Sequence, residues 1–146
     1  MADVELSRLL LEGHRALASE SVVWLTERGY PDVRASHAAL FLHIDRRSGT
    51  RLTELARRAR ITKQGMMQLV DDLESRGYVR RVPDEQDGRA KVVRLTARGR
   101  RCAAEARRAN AAVEGWVRRQ LGPRRYEQLR DALEELLELE LEMDEA

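Results

Sequence analysis

Two stretches of helical apolar periodicity in "RLTELARRARITKQGMMQLVDDLESRGYV" (51–79) are separated by little more than Arg60 and Ile61. That short join constrains the fold more than any other feature of the chain. Helices connected so tightly must cross steeply and turn their apolar faces toward one core, which is the outline of a helix-turn-helix. The first is expected to start near Thr53 and to bury Leu52, Leu55 and Ala56. In the second, Thr62 is the expected N-cap and Met66, Leu69, Val70 and Leu73 point inward at helical spacing. Gly77 supplies a left-handed end.

The residues after this helix pair narrow the fold further. "YVRRV" and "KVVRLT" are β-branched and partly alternating, and the Pro83 to Gly88 segment between them carries turn residues, so a hairpin is predicted. A helix-turn-helix leading directly into a hairpin is a winged helix. Around it, a helix is expected from Val4 to about Glu27, ended by "RGYPD". A second, nearly apolar helix, expected from about Arg34 to Asp45, should be buried on most sides. Thr96 caps a long helix from Ala97 to Leu121. Gly122 and Pro123 then start a last helix to about Glu142, with Leu129, Leu133, Leu136, Leu137 and Leu141 along one side. The fold class is mainly α with a small β-hairpin wing. At 146 residues one domain is expected over 1–146, with residues 34–98 as its winged helix-turn-helix lobe.

Charge points to the partner. The formal net charge is only +2, but residues 46–101 hold 16 Lys and Arg against 7 Asp and Glu, a local +9 that leaves −7 elsewhere. Arginine also outnumbers lysine 25 to 2; guanidinium forks suit phosphates and guanine edges, although a GC-rich genome produces the same bias. The major groove admits one helix, read from that helix's exposed amino-terminal turns. Thr62, Lys63, Gln64, Met67 and Gln68 occupy those positions here. Gln suits adenine edges and Lys guanine. Gly65, a poor helix former, fits a site where backbone approaches a phosphate. On the wing, Arg89 at the tip is placed for the minor groove, with Lys91 and Arg94 behind it. Asp87 is expected to stiffen the tip by accepting wing hydrogen bonds.

Other chemistries find no carrier. A Ser-His-Asp set, an HExxH helix, a phosphate-binding glycine loop and paired carboxylates at workable spacing are all missing, so the chain is read as a non-enzyme without cofactor. Cys102 is the sole cysteine, which leaves neither an internal disulfide nor a zinc site. With no apolar run near the ~18 residues of a membrane span and no targeting pattern, a cytoplasmic protein is expected. His14, Trp24, His37 and His43 are candidates to line a small-ligand pocket.

The stretch "LTELARRARITKQGMMQLVDDLESRGYVRRVPDEQDGRAKVVRLTARG" resembles the MarR family of winged-helix transcriptional regulators. The resemblance is carried by the join "LVDDLESRGYVRR", the wing "DGRAK" and "LTARG". It implies a homodimer whose dimerisation helices lie in residues 1–30 and 99–146. It also implies a pseudo-palindromic operator in double-stranded DNA, and repression released by a small aromatic or phenolic ligand. By position, Thr62 to Gln68 would then read DNA, and Asp87 and Arg89 would form the wing pair. Some relatives sense peroxide through a cysteine near the amino end; Cys102 stands elsewhere. The leucine stripe on so acidic a last helix supports a dimer independently, because one small domain cannot bury it. The competing reading is a winged-helix interaction module whose basic face docks on an acidic protein.

Overall fold

A computed structural model of the chain describes residues 4–139. Six helices and one hairpin are arranged in the order α1 (Leu6–Glu27), α2 (Ala38–His43), α3 (Leu52–Ala59), α4 (Lys63–Ser75), β1 (Val79–Pro83), β2 (Lys91–Leu95), α5 (Ala97–Leu121) and α6 (Pro123–Glu138). The chain divides into two compact units, one up to Asn110 and one from Ala111 onward.

The core of the first unit is a single apolar cluster. Leu25 from α1, Leu40 and Ile44 from the α2 region and Leu55 and Ala56 from α3 meet Met66, Val70 and Leu73 from α4. Tyr78, Val79, Val93 and Leu95 from the hairpin and Cys102 and Ala103 from α5 complete it. The positions expected to face inward on the helix pair therefore do so, with Leu52 and Leu69 half-buried at the margin. α4 begins where Thr62 Oγ1 accepts the Gly65 N–H at 3.0 Å. It ends where the Tyr78 N–H reaches the Leu73 carbonyl (2.9 Å) and Gly77 takes φ +81°. Those two ends fix the helix and deliver the chain into β1.

The hairpin is antiparallel, with Val79 opposite Leu95 and Pro83 opposite Lys91. Thr50 adds a further rung by exchanging backbone hydrogen bonds with Val93 (3.0 and 2.9 Å). At the carboxyl end of β2, Thr96 Oγ1 caps α5 through the Gly99 N–H (3.1 Å).

One expectation is corrected. Residues 34–45 are not one helix but a tight 3-10 turn, Ala35–His37, followed by the two-turn α2. The break forms because the Arg34 N–H donates to His37 Nδ1 (3.0 Å), which closes the turn on a side chain. The burial expected of the segment is met on most sides: Leu40 and Ile44 are buried in the core, Phe41 packs against it and Ala38, Ala39 and His43 are half-buried, while Leu42 alone of residues 38–44 is exposed, at 67%.

In the second unit Pro123 opens α6, and Tyr126 is its buried anchor, with its hydroxyl 3.5 Å from Glu114 Oε2. Leu129 and Leu137 on α6 and Trp116 on α5 stay exposed. Leu141 and the expected helix end at Glu142 lie outside the described residues.

Candidate nucleic-acid interface

The amino-terminal turns of α4 present an exposed surface. Thr62, Lys63, Gln64 and Gln68 are exposed and Met67 is 42% exposed, while Met66 and Val70 between them are fully buried. No acidic residue stands in the first turn, so nothing there repels a phosphate. Gly65 has a local reason to be glycine: a Cβ would lie 3.1 Å from Thr62 Oγ1 and crowd the cap that starts the helix.

The wing is ordered by its own carboxylates. Asp87 Oδ1 accepts the Arg89 N–H (3.1 Å), and the Asp87 carbonyl accepts the Ala90 N–H (3.0 Å). Asp84 Oδ1 accepts the Gln86 N–H (3.0 Å), while its Oδ2 takes both Nε and Nη2 of Arg51 (3.1 and 2.8 Å). The tip is thus held from within and tied to the start of α3, and Arg89 stands exposed on it. Lys91 is exposed at the start of β2. Arg94 differs from both. It is half-buried, donates to the Arg47 carbonyl (2.7 Å) and lies 3.8 Å from Glu85. A Cβ on Gly49 would lie 2.5 Å from Arg94 Cγ, so the side chain is packed into the 45–50 turn.

Ion pairing sorts the charge. Of the 16 cations between residues 46 and 101, seven lie within 4.0 Å of a carboxylate: Arg51, Arg57, Arg58, Arg76, Arg81, Arg94 and Arg98. Six of the segment's seven carboxylates are in those pairs, and the seventh, Asp87, holds wing backbone. The solvent-exposed ones among these pairs contribute little to stability. Their effect is to neutralise, so nine cations remain without a carboxylate among the described residues. They include Lys63 on α4 and Arg89 and Lys91 on the wing. Arg46, Arg47, Arg60 and Arg80 belong to the same set, and a charge count alone did not separate them from their paired neighbours.

Beyond that exposed face, the carboxyl end of α4 is anchored by a polar chain. His37 is 1% exposed, and because its Nδ1 accepts a backbone N–H, its Nε2–H must donate to Asp72 Oδ2 (2.6 Å). Arg76 Nε donates to Asp72 Oδ1 (2.8 Å) and its Nη1 to the Asp32 carbonyl (3.1 Å). The Arg76 hydrogen bond, then that of His37, keeps the Asp72 carboxyl below its ordinary range. Tyr78 donates its hydroxyl to Asp32 Oδ1 (2.6 Å) and accepts from Arg98 (2.9 Å). Burial pushes the Asp32 carboxyl up, but the Tyr78 hydrogen bond and the Arg98 and Arg76 charges outweigh it, so it stays ionised.

The four pocket candidates are used in different ways. His37 has both ring nitrogens engaged and none to offer a ligand. His14 is exposed on α1, and His43 gives its carbonyl to Arg58 (3.1 Å). Trp24 donates Nε1–H to Glu105 (3.2 Å) beneath the Arg28 guanidinium, 3.5 Å from its ring centre. A recess of about 480 Å³ between α3 and the wing is lined by Arg51, Glu54, Arg58, Asp84 and Arg94 and by none of these four. Cys102 is fully buried, and burial pushes its thiol up to about 12, so it carries no reactive thiolate at neutral pH.

The family model for MarR matches residues 32–90. A solved Mycobacterium tuberculosis MarR-family protein in complex with salicylic acid is 28% identical. The match covers 92% of this chain and 98% of that one, with a TM-score of 0.67. A MarR-family transcriptional regulator from Rhodococcus sp. RHA1 is 26% identical over 90% of this chain and 96% of its own, with a TM-score of 0.68. The repressor CouR of Rhodococcus jostii RHA1, bound to a 23-mer DNA duplex, shares the fold at a TM-score of 0.74. Its identity is 22%, over 91% of this chain and 92% of that one. No curated protein matches by sequence. No helix of the described residues is long and apolar enough to cross a membrane.

Proposed function

Because this chain belongs to the MarR family of winged helix-turn-helix regulators, we propose that it is a sequence-specific, ligand-responsive DNA-binding repressor of the cytoplasm. It acts as a homodimer on a pseudo-palindromic operator. The observation that carries this reading is the sorting of charge. Every carboxylate of the 46–101 segment is occupied within the protein, and uncommitted cations remain on the recognition helix and the wing. In the complex, Lys63, Gln64 and Gln68 meet base edges in the major groove, Thr62, Gly65 and Met67 lie along its wall, and Arg89 enters the adjacent minor groove. Lys91 supports the wing from its base, and Asp87 and Arg94 hold it in shape.

The dimer is supported by apolar surface that the chain leaves open. On α1, Leu6 is 64% and Leu9 57% exposed, and Leu11, Leu17 and Val23 are exposed with them. Selection from a random duplex library should enrich a palindrome with half-sites ~10 bp apart. Sedimentation equilibrium should return twice the chain mass. Enrichment of no sequence would favour the protein-docking alternative.

For the effector, the relative crystallised with salicylic acid suggests a small aromatic acid. Trp24 and Arg28 offer such a ligand a ring and a cation together. Quenching of Trp24 fluorescence by salicylate in a Trp116→Phe background tests this; an unchanged spectrum removes Trp24 from the site.

A further inference from the structure

Among the described residues, Arg60 is the only one other than glycine with left-handed backbone, at φ 54° and ψ 41°. It closes α3 by donating its N–H to the Arg57 carbonyl (3.2 Å), and it stands two residues before the Thr62 cap. Glycine or asparagine would take this conformation without the Cβ crowding that penalises other residues. The chain instead keeps a long cationic side chain here. Its neighbours show that the charge is not needed internally. Arg57 and Arg58 both bind Glu54, and Arg58 also donates to the His43 carbonyl, whereas the exposed Arg60 side chain has no partner among the described residues.

In a helix-turn-helix the first helix crosses the DNA backbone and the second enters the groove by its amino end, so the turn between them lies over the bounding phosphates. We infer that Arg60 is a phosphate-contacting residue that sets the recognition helix at the groove edge, retained despite its backbone cost. This inference rests on the operator reading.

The two demands give opposite signs on substitution. Arg60→Gly and Arg60→Asn should each raise the melting temperature of the free protein by about 2–4 °C. They should also weaken operator binding by roughly 3- to 10-fold and lower the slope of log affinity against log salt by about 2, about 1 for each protomer of the dimer. Arg60→Lys should keep both the wild-type melting temperature and the slope, which separates charge from backbone. Variants that melt higher yet bind operator with unchanged affinity and slope would overturn the inference. So would variants that melt lower than wild type. A wild-type chain that binds no duplex overturns the operator reading and this inference together.

Discussion

The two halves of α4 share one helix and little else. Its first two turns, from Lys63 to Gln68, expose their polar side chains, with no ion pair on any of them among the described residues. Its last two turns carry Asp71, Asp72 and Glu74, and all three are bonded to groups outside the helix or one turn along it: Arg81, Arg76 and His37. The outer half is open surface and the inner half is attachment. Reading a base sequence requires side chains that are unspent before DNA arrives, on a backbone that does not move when it does. On the proposed operator reading, α4 meets both demands by dividing them along its length. The acidic residues that would repel a duplex are confined to the half where arginines pair with them and a histidine donates a hydrogen bond to one of them.

The comparison breaks most severely through the inner anchor. A Cβ at Gly99 would lie 2.0 Å from the Tyr78 carbonyl oxygen, where backbone cannot yield as a flexible side chain would. Gly99→Ala should therefore destabilise the fold at or beyond the top of the ~1–3 kcal/mol overpacking range. A thermal melt within about 2 °C of wild type would show that the attachment of α4 gives way easily.

Changes on the outer half should leave stability alone and act on binding. Lys63→Ala and Gln64→Ala should each cost roughly 1–3 kcal/mol on the selected operator and less on random DNA, with unchanged melting. Equal losses on both DNAs would mean that these side chains touch only phosphate. The wing should respond more weakly. Arg89→Ala is expected to lower the salt slope by about 2, about 1 for each protomer of the dimer. Asp87→Ala should reduce affinity although it removes a negative charge, because the Arg89 N–H loses its acceptor. Tighter binding by Asp87→Ala would show that repulsion outweighs the ordering of the tip.

The smallest effect is a pH dependence on α3. Hydrogen bonds from Arg57, then Arg58, hold the Glu54 carboxyl down from 4.5 to about 2. A lowered carboxylate stabilises the fold above its unfolded value, so the contribution of Glu54 is complete above pH 4.5 and is lost as the pH falls toward 2. The melting difference between wild type and Glu54→Gln should shrink across that window. It should be small throughout, because the pair is exposed and screened. A difference that grows on acidification would contradict the pairing.

Local chemistry was legible in the sequence. Thr62, Gly77 and Thr96 each act within a few residues of themselves, so residue type and spacing located the ends of α4 and the start of α5. The hairpin could be read from β-branched runs around a turn for the same reason. Long-range partners could not. Asp32 and Tyr78 stand 46 positions apart, and His37 and Asp72 stand 35 apart. Nothing in either neighbourhood announces the other. The split of the 34–45 segment escaped for a second reason: it is local, but a histidine ring that accepts a backbone N–H three residues back is not a common cap signal. Long-range blindness turned His37 into a pocket candidate. It also grouped Arg94 with Arg89 on the wing, because only the fold shows which of two arginines has spent its donors. Arg60 lay hidden for a third reason: its residue type gives no sign of a left-handed backbone.

The chain's single thiol sits at the centre of the first unit's core, fully shielded and held protonated. An alkylating or disulfide reagent can therefore reach Cys102 only in molecules whose core has opened. Its labelling rate in native buffer is a built-in clock for those rare openings, proportional to their population when reclosing is fast. Any operator or effector that favours the closed form should slow the clock. No dye, tag or added cysteine is needed to read it.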